Sequence, residues 1–348
     1  MKHLESLNEF ALISALTKPL KKHPDQLNKT HQSDAELLKQ PDGSYLAATV
    51  DTLLEEYHLG LIRDPFVVGW STVAHSLSDL AAVAADPLGV LLSVTFPKQV
   101  DQNWSLRFFE GAQAALDRHQ TYCLGGDTSF GAEASFTSTA LGRIQGHQPL
   151  LRTGAKAGDA FYVTGLLGSG NLLAIASQVD RNAWKALEAE YRPVARLAEV
   201  KALRPFMRCA IDTSDALLQA LAILAALNNI GIDFHHREDL YEPKLIALAK
   251  KIQFPLWLVN VFGLGEHEVL FSVAKDREAD FRKHAMDANV RIFRIGDATE
   301  NLGLRLHIDG RAYVLDAPHL LNLLSSCPSI GEYLKALVSY DATLRGSK

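Results

Sequence analysis

The chain has 348 residues, of which 47% are hydrophobic and 22% charged, and its formal net charge at pH 7 is −5. This composition excludes a disordered chain, and the length predicts two domains because a single hydrophobic core seldom grows so large. The weakly negative charge argues against nucleic acid or an anionic membrane as a partner. The three cysteines are far apart, which fits a reducing compartment, and no apolar run reaches the roughly 18 residues of a membrane span. We therefore expect a cytoplasmic protein.

Strands and helices alternate through the first half of the chain. A short amphipathic helix is predicted at the N-terminus, followed by a strand in "SYLAATVDTL" that ends near Asp51. A helix in "VVGWSTVAHSLSDLAAVAAD", a buried strand in "GVLLSVTFP" and an amphipathic helix in "WSLRFFEGAQAALDRHQ" come next, as the spacing of their apolar residues indicates. Finally, "TYCLGGDTSF" and "EASFTSTALGRI" predict two strands around a glycine turn that carries Asp127.

The composition of the sequence changes near residue 150, where "LLRTGAKAGDAFYVTGLLGSGNLLAIA" is rich in glycine. We place a domain boundary here, with one domain over residues 1–148 and a second over residues 149–348. The second domain contains a strand that ends at Asp212 and enters a long apolar helix, and a hairpin at "IDGRAY". The glycine-rich run either cradles a phosphate or is a plain strand-to-helix turn, since it lacks the lysine of a P-loop and the dinucleotide fingerprint.

Acidic residues follow apolar stretches at four separate places in the chain. These residues are Asp51, Asp79, Asp127 and the pair Asp212 and Asp215, and hydroxyl groups such as that of Ser214 lie beside them. Carboxylates with hydroxyl co-ligands are what Mg²⁺ binds. The alternative is that the Ser-Asp pairs cap helices, because a serine or aspartate oxygen can accept from free backbone N–H groups. We favour a shared metal site, because helix capping alone does not explain five carboxylates in this setting.

His58 is the one histidine whose position in the sequence suggests a function. His58 comes seven residues after Asp51 in "VDTLLEEYH", so it either hydrogen-bonds a substrate anion or lies on the surface without a role. On spacing alone the two alternatives stay open.

Seven motifs, taken in order, resemble those of thiamine-monophosphate kinases. They are "NEFALI", "VDTLLEEYH", "SLSDLAAVAADP", "CLGGDTSFG", "LLRTGAKAGDAFYVTG", "YRPVARL" and "AIDTSDALL", and they span most of residues 8–217. These kinases belong to a superfamily with aminoimidazole ribonucleotide synthetase, selenophosphate synthetase and a hydrogenase-maturation protein. The resemblance implies an α/β (α+β) fold of two domains, in which the N-terminal sheet dimerises into a barrel and a C-terminal α+β domain packs behind it.

The resemblance also implies cofactors, a substrate and a set of site residues. ATP and Mg²⁺ are expected in the cleft between the domains, and the acceptor is expected to be thiamine monophosphate or a related anion, in a homodimeric enzyme. The metal ligands implied by position are Asp34, Thr49, Asp51, Asp79, Asp127, Asp212 and Asp215. The residues implied to bind the nucleotide are Gly125, Gly126, Asp127, Arg152 and Ser214, and those implied to contact the substrate are His58 and Glu266.

The chain departs from the family pattern on its phosphate loop and on its substrate side. In "THQSDAELL" Asp34 remains, but Ser33 replaces a second acid and the flanking glycines are absent; Phe130 stands where an arginine is expected. "GLGEHE" replaces "GGEDYE", and no aromatic residue matches the one that stacks on thiamine. Two functions therefore stay open. The first is a kinase that uses the family's acceptor or an altered one, and the second is a catalytically weak paralogue that binds nucleotide or metal for regulation. A phosphate-releasing hydrolase ranks last.

Overall fold

The structure, a computed structural model, describes residues 8–264 and 266–346. The N-terminal helix predicted from the sequence is present as α1 (Asn8–Thr17). Within the described ranges, no helix combines the length and the apolar character that crossing a membrane requires.

A five-stranded sheet forms the first half of the chain. Its strands are β1 (Glu36–Lys39), β2 (Tyr45–Leu53), β3 (Asp86–Pro97), β4 (Cys123–Gly131) and β5 (Ser135–Ile144), and their spatial order is β1-β2-β5-β3-β4. Neighbouring strands are antiparallel except β3 and β4, which are parallel. Because β4 pairs with β3 alone, it is an edge strand.

Two helices cover one face of this sheet and leave the other face open. After the one-turn helix α2 (Glu55–His58), helix α3 (Pro65–Ala82) begins where Asp64 accepts a 2.8 Å hydrogen bond from the Phe66 backbone N–H, with Pro65 at the first helical position. Helix α4 (Gln102–Arg118) packs across α3. The opposite face of the sheet exposes apolar side chains, among them Val50, which is 63% exposed.

The second half of the chain folds around a seven-stranded sheet. Its strands are β6 (Ala160–Val163), β7 (Met207–Asp212), β8 (Gly231–His235), β9 (Val269–Val273), β10 (Phe293–Thr299), β11 (Gly303–Ile308) and β12 (Arg311–Leu315), in the order β12-β11-β8-β10-β6-β9-β7. The helices are α5 (Ser169–Val179), α6 (Arg181–Glu190), α7 (Leu197–Leu203), α8 (Leu217–Asn228), α9 (Pro243–Ile252), α10 (Glu278–Asp287), α11 (Ala317–Asn322) and α12 (Ile330–Leu344). The predicted hairpin is confirmed, with Asp309 and Gly310 both at positive φ between β11 and β12.

The hydrophobic cores show how the two halves are joined. The core under the first sheet also takes in residues from beyond position 149, including Leu173, Trp184 and Leu264. The first sheet ends at Ile144 and the second begins at Ala160, so the proposed boundary at residue 148 falls in the connection between them. The division into two domains at that residue stays a prediction.

One local prediction and one of the alternatives left open by the sequence are wrong. Asp127 does not lie on a glycine turn, because residues 123–131 form one strand in which Asp127 pairs with Ser93 of β3. Gly126 is required for close approach, since a Cβ there would lie 1.8 Å from the Leu92 carbonyl oxygen. Helix capping by the Ser-Asp pairs is wrong as well: Asp79 lies near the end of α3, and the N-cap of α8 is Ala216, without a side-chain bond.

Candidate functional site

Three carboxylates from distant parts of the chain converge on one point. One oxygen from each of Asp34, Asp79 and Asp212 lies within 4.8 Å of the other two. Asp34 precedes β1, Asp79 lies in the last turns of α3, and Asp212 is the final residue of β7. The site is therefore built where the first sheet, its covering helix and an edge strand of the second sheet meet.

Hydroxyl and backbone groups orient these carboxylates. The Ser78 hydroxyl donates to Asp212 at 2.7 Å, and the Ser214 hydroxyl donates to the other oxygen of Asp212 at 3.0 Å. The Thr49 hydroxyl donates to Asp79, and the backbone N–H of Asp212 donates to Asp34 at 3.3 Å. Because the donors come from three different elements, the cluster depends on the tertiary fold and not on a local motif.

Burial and mutual repulsion disfavour charge on two of the carboxylates. Burial, followed by the charges of Asp51, Asp212 and Asp34, raises the pKa of Asp79 well above its ordinary value, against which the Thr49 hydroxyl acts only in part. Burial, and next the charge of Asp34, raises the pKa of Asp212 to about 8. A cation placed among these groups would remove both effects, because an opposite charge favours the ionised form.

The donor set fits a hard divalent cation. Carboxylate oxygens with the Thr49 hydroxyl beside them are the ligands that Mg²⁺ prefers, and no described cysteine or histidine joins the cluster to supply the thiolate or imidazole that selects softer metals. The Ser33 hydroxyl, next to Asp34 in the chain, is buried without a hydrogen-bond partner among the described residues.

Arg152 supplies a positive charge at this point. Its guanidinium binds Asp34 in a bidentate way, with Nε to Oδ2 at 3.3 Å and Nη2 to Oδ1 at 3.1 Å. Burial acts to lower the pKa of Arg152, but Asp34, Asp79 and Asp212 outweigh it and the pKa is raised. Arg152 thus stays charged within a group of acids.

Asp51 and Asp215 lie at the margin of the cluster. Both are near enough to contribute to the raised pKa of Asp212. Asp51 lies on β2 in the same row as Ser138 of β5, whose side chain is buried beneath α3. Asp215 accepts a 3.0 Å hydrogen bond from Gln219. The predicted residues Asp34, Thr49, Asp51, Asp79, Arg152, Asp212, Ser214 and Asp215 are thus brought together.

Asp127, Gly125 and Gly126 are not brought to this cluster within the chain. Strand β4 is separated from β2 by β5 and β3, which places it about 14 Å away at the usual spacing between strands. In the sheet register Asp127 shares a row with Ser93, Thr137 and Thr52, one residue along from the row of Asp51. Successive residues of a strand point to opposite faces of the sheet. The pairing of the strands therefore places Asp127 on the open face, opposite to the face on which Asp51 lies.

The two residues predicted to contact the substrate also lie apart from the carboxylates. His58 is exposed at the end of α2, where its Nε2 is 3.2 Å from the Ala134 carbonyl oxygen. Glu266 is buried and accepts from the backbone N–H groups of Gly168 and Ser169, at 2.6 and 3.0 Å, and from Asn171 at 2.7 Å. Both carboxylate oxygens of Glu266 therefore bind the start of α5.

Two cavities meet beside the cluster. The smaller, of about 150 Å³, is lined by Arg152 and Asp212 among others, and the larger, of about 240 Å³, is lined mainly by apolar side chains that include Phe262 and Tyr333. Residues Asp215, Ala216 and Gln219 line both. This arrangement offers a compartment beside Arg152 and Asp212 and a more apolar one, which meet at Asp215, Ala216 and Gln219.

Sequence reasoning missed several residues of this site. Ser78 entered only as part of a Ser-Asp pair that could cap a helix, whereas its hydroxyl donates to Asp212, 134 positions away in the chain. The lining of the apolar cavity, including Phe262 and Tyr333, has no sequence signal, because it comes from an irregular segment and a C-terminal helix. The stretch "GLGEHE" did indicate a candidate functional segment, since three polar residues stand directly before the buried strand β9.

The fold and the carboxylate cluster define a protein of the AIR synthase related class: residues 32–144 match the family "AIR synthase related protein, N-terminal domain". The thiamine-monophosphate kinase of Salmonella typhimurium is 32% identical over 321 residues, which cover 88% of this chain and 94% of that protein. The chain belongs to the thiamine-monophosphate kinase family, and it is a kinase.

Solved structures share this fold. The thiamine-monophosphate kinase from Stenotrophomonas maltophilia has a TM-score of 0.67 and 29% identity, and the match covers 88% of this chain and 98% of that one. AaThiL, solved in complex with AMPPCP and TMP, has a TM-score of 0.71 and 24% identity over 87% of this chain and 94% of that one. The predicted two-domain α/β fold of the superfamily is thereby confirmed, as is the predicted family.

Proposed function

We propose that this kinase transfers the γ-phosphoryl group of ATP to the phosphate of thiamine monophosphate, giving thiamine diphosphate and ADP. An acceptor phosphate oxygen forms the new P–O bond, the bond between the γ-phosphorus and the β–γ bridging oxygen breaks, and ADP carries away the electron pair. The acceptor is already an anion, so no side chain has to remove a proton. The convergence of Asp34, Asp79 and Asp212 carries the proposal, because the main obstacle is repulsion between two anions.

Mg²⁺ is the proposed cofactor, with Asp34, Asp79 and Asp212 as its central ligands and Thr49, Asp51 and Asp215 at the margin. When bound, it would neutralise the charge of the polyphosphate and of the shifting phosphoryl group. Arg152 contributes a fixed positive charge, and Ser78 and Ser214 hold Asp212 in place. Asp127, Gly125 and Gly126 stay predicted ligands of metal and nucleotide.

We assign the polar cavity to the triphosphate and the apolar cavity to the ring system of the acceptor. The polar cavity contains Arg152 and Asp212, which suits a magnesium-bound polyphosphate. Among the described residues that line the apolar cavity there is no basic side chain, and Glu56 and Asp215 are the acidic ones. Such a lining favours an aromatic, cationic group such as a thiazolium over a sugar or a second anion. His58 and Glu266 stay predicted substrate residues, since neither lines this cavity.

The test is a coupled assay of ADP release with purified protein, Mg-ATP and thiamine monophosphate, with calorimetric titration of Mg-ATP alongside. We expect binding that depends on Mg²⁺ and ADP release that depends on the acceptor. Binding with transfer only to another phosphorylated or carboxylated acceptor would show an altered specificity. Binding without any transfer would support the paralogue instead, and ADP release without an acceptor would support a hydrolase. A melting temperature unchanged by Mg²⁺ and ATP would refute the metal site.

We also propose that two copies of the chain associate through the open face of the first sheet. Val50 and Leu91, which are 63% and 36% exposed, lie in one row across β2, β5 and β3 on this face, and Leu124 on the edge strand is 49% exposed. Exposed large apolar side chains beside an unpaired edge strand are a usual sign of an interface. A second copy of this chain fits it, since the same face and edge are then buried on both partners.

A further inference from the structure

His267 is a buried histidine for which packing alone gives no explanation. It is 0% exposed, and its backbone adopts φ +55°, a left-handed conformation that is uncommon for residues other than glycine. Neither ring nitrogen has a hydrogen-bond partner among the described residues. A buried polar group without a partner costs stability, and such costs recur where function requires a particular geometry.

The ring of His267 packs against His75 of helix α3. The two ring centroids are 4.6 Å apart and the planes are inclined by 44°. Burial above all, and the proximity of His75, hold the pKa of His267 well below its ordinary value, so the rings meet without a charge on His267. His75 precedes Asp79 by four residues, about one helical turn, and both therefore lie on the same face of α3.

The residue after His267 connects the same segment to Asp212. The carbonyl oxygen of Glu268 accepts from the Thr213 backbone N–H at 2.9 Å and from the Thr213 hydroxyl at 3.1 Å. Thr213 directly follows Asp212. The Glu268 side chain is itself fixed, by Arg196 at 2.9 Å and by Thr164 at 2.6 Å.

The residue before His267 anchors the segment on its other side. Glu266 binds the first backbone N–H groups of α5, as described above. Residues 266–268 thus contact helix α5, helix α3 and the end of strand β7 in turn. The segment joins the helix that carries Asp79 to the strand that carries Asp212, and the ring of His267 is its contact with α3.

We propose that His267 is a positioning residue: the packing of its ring on His75 fixes the separation between Asp79 on α3 and Asp212 on β7, and so tunes the affinity of the carboxylate cluster for a divalent cation. The inference rests on the metal site of the proposed function. It assigns no contact between either histidine and the cation. A shift of one element against the other would move the carboxylates apart without unfolding either sheet.

The test measures the affinity of the full chain for Mn²⁺ without nucleotide. Electron paramagnetic resonance, which detects free Mn²⁺, is the readout. His267→Gly removes the ring and suits the positive φ, and His75→Ala removes the other ring. We expect each to weaken Mn²⁺ affinity by about tenfold, the lower end of what loss of a group that orients metal ligands produces. The double variant should be no weaker than either single one, because both remove the same contact. His267→Phe, which keeps a ring without nitrogens, should retain most of the affinity.

A matched control is His235→Ala, because His235 stacks on His307 with centroids 4.7 Å apart on the second sheet. It should leave Mn²⁺ affinity unchanged. Circular dichroism shows whether each variant is folded, and should His267→Gly fail to fold, His75→Ala and His267→Phe still decide the question. Wild-type Mn²⁺ affinity in folded His75→Ala would overturn the inference while leaving the metal site intact. So would a loss of Mn²⁺ affinity in the double variant equal to the sum of the losses in the two single variants. No Mn²⁺ binding by the wild type would overturn the metal site and the inference together.

Discussion

Asp79 and Asp212 lie in surroundings that disfavour their own negative charge. Burial contributes most, and neighbouring carboxylates add to it. Serine and threonine hydroxyls compensate only in part. At the scale of single residues, the free protein therefore bears a free-energy cost at the place where a cation would be bound.

Replacing Asp79 by asparagine tests this view of the cluster. We expect Asp79→Asn to lower Mg²⁺ affinity by at least about tenfold and to raise the melting temperature of the metal-free protein, because one member of a repulsive group becomes neutral. Isothermal titration with Mg²⁺ and thermal unfolding measure the two effects. The surface variant Asp287→Asn, which removes an exposed partner of Lys283, should alter neither. Asp127→Asn belongs in the same series: unchanged affinity would remove Asp127 from the ligand set.

The pH dependence of stability follows from the same shifts. Asp212 binds its proton more tightly in the folded state, where its pKa is about 8, than in the unfolded state, where it is near 3.8. The contribution of Asp212 to the stability of the folded state is therefore fully present below about pH 4 and is lost as the pH rises toward 8. We expect the metal-free protein to melt at a lower temperature at pH 8 than at pH 5.5, and Asp212→Asn to reduce that difference. An unchanged difference in Asp212→Asn would show that other groups cause it.

Helix α3 carries His75, Ser78 and Asp79, so its placement decides the geometry of the site at the scale of elements. It contacts α4 at a point where both helices have a glycine: a Cβ on Gly69 would lie 1.9 Å from the Phe108 carbonyl oxygen, and one on Gly111 would lie 1.9 Å from that of Phe66. The helices approach this closely because neither has a side chain at the crossing.

Gly69→Ala should consequently push α3 away from α4. We expect it to lower the free energy of unfolding by about 1–3 kcal/mol, as overpacking usually does, and to weaken Mg²⁺ binding because Asp79 moves with the helix. Urea unfolding and metal titration provide the two readouts. Gly331→Ala is the control, since a Cβ at this position in α12 meets no atom closer than 3.8 Å, and it should leave both values unchanged or slightly improve stability.

At the scale of the whole molecule, the open face of the first sheet is the feature that a single chain leaves unexplained. Val50→Lys or Leu91→Lys places a charge on this face without entering the core, because both side chains are exposed. If the face joins two copies, light scattering should give a dimer for the wild type and a monomer for either variant. Val314→Lys, on the exposed edge strand of the second sheet, should remain dimeric. A monomeric wild type would refute the proposed homodimer.

Much of the architecture was open to prediction because it depends on local patterns. The spacing of apolar residues placed α3, α4, β2 and the strand that ends at Asp212, and the Asp309-Gly310 turn placed the last hairpin. The pattern failed at "CLGGDTSFG", where paired glycines indicated a turn. Tertiary pairing with β3 instead draws these residues into a strand, and a single sequence does not reveal such pairing.

The sequence by itself determined the family, the order of the elements and the residue types of the site, since short motifs record which side chains the chemistry needs. Only the tertiary structure decided which acids share a site: it joined Asp34, Asp79 and Asp212 and placed Asp127 on an edge strand across the sheet. It also decided that Glu266 binds the start of a helix and that His267 packs on His75. The physical reason is that distances between remote residues follow from packing and strand register, which no local pattern encodes.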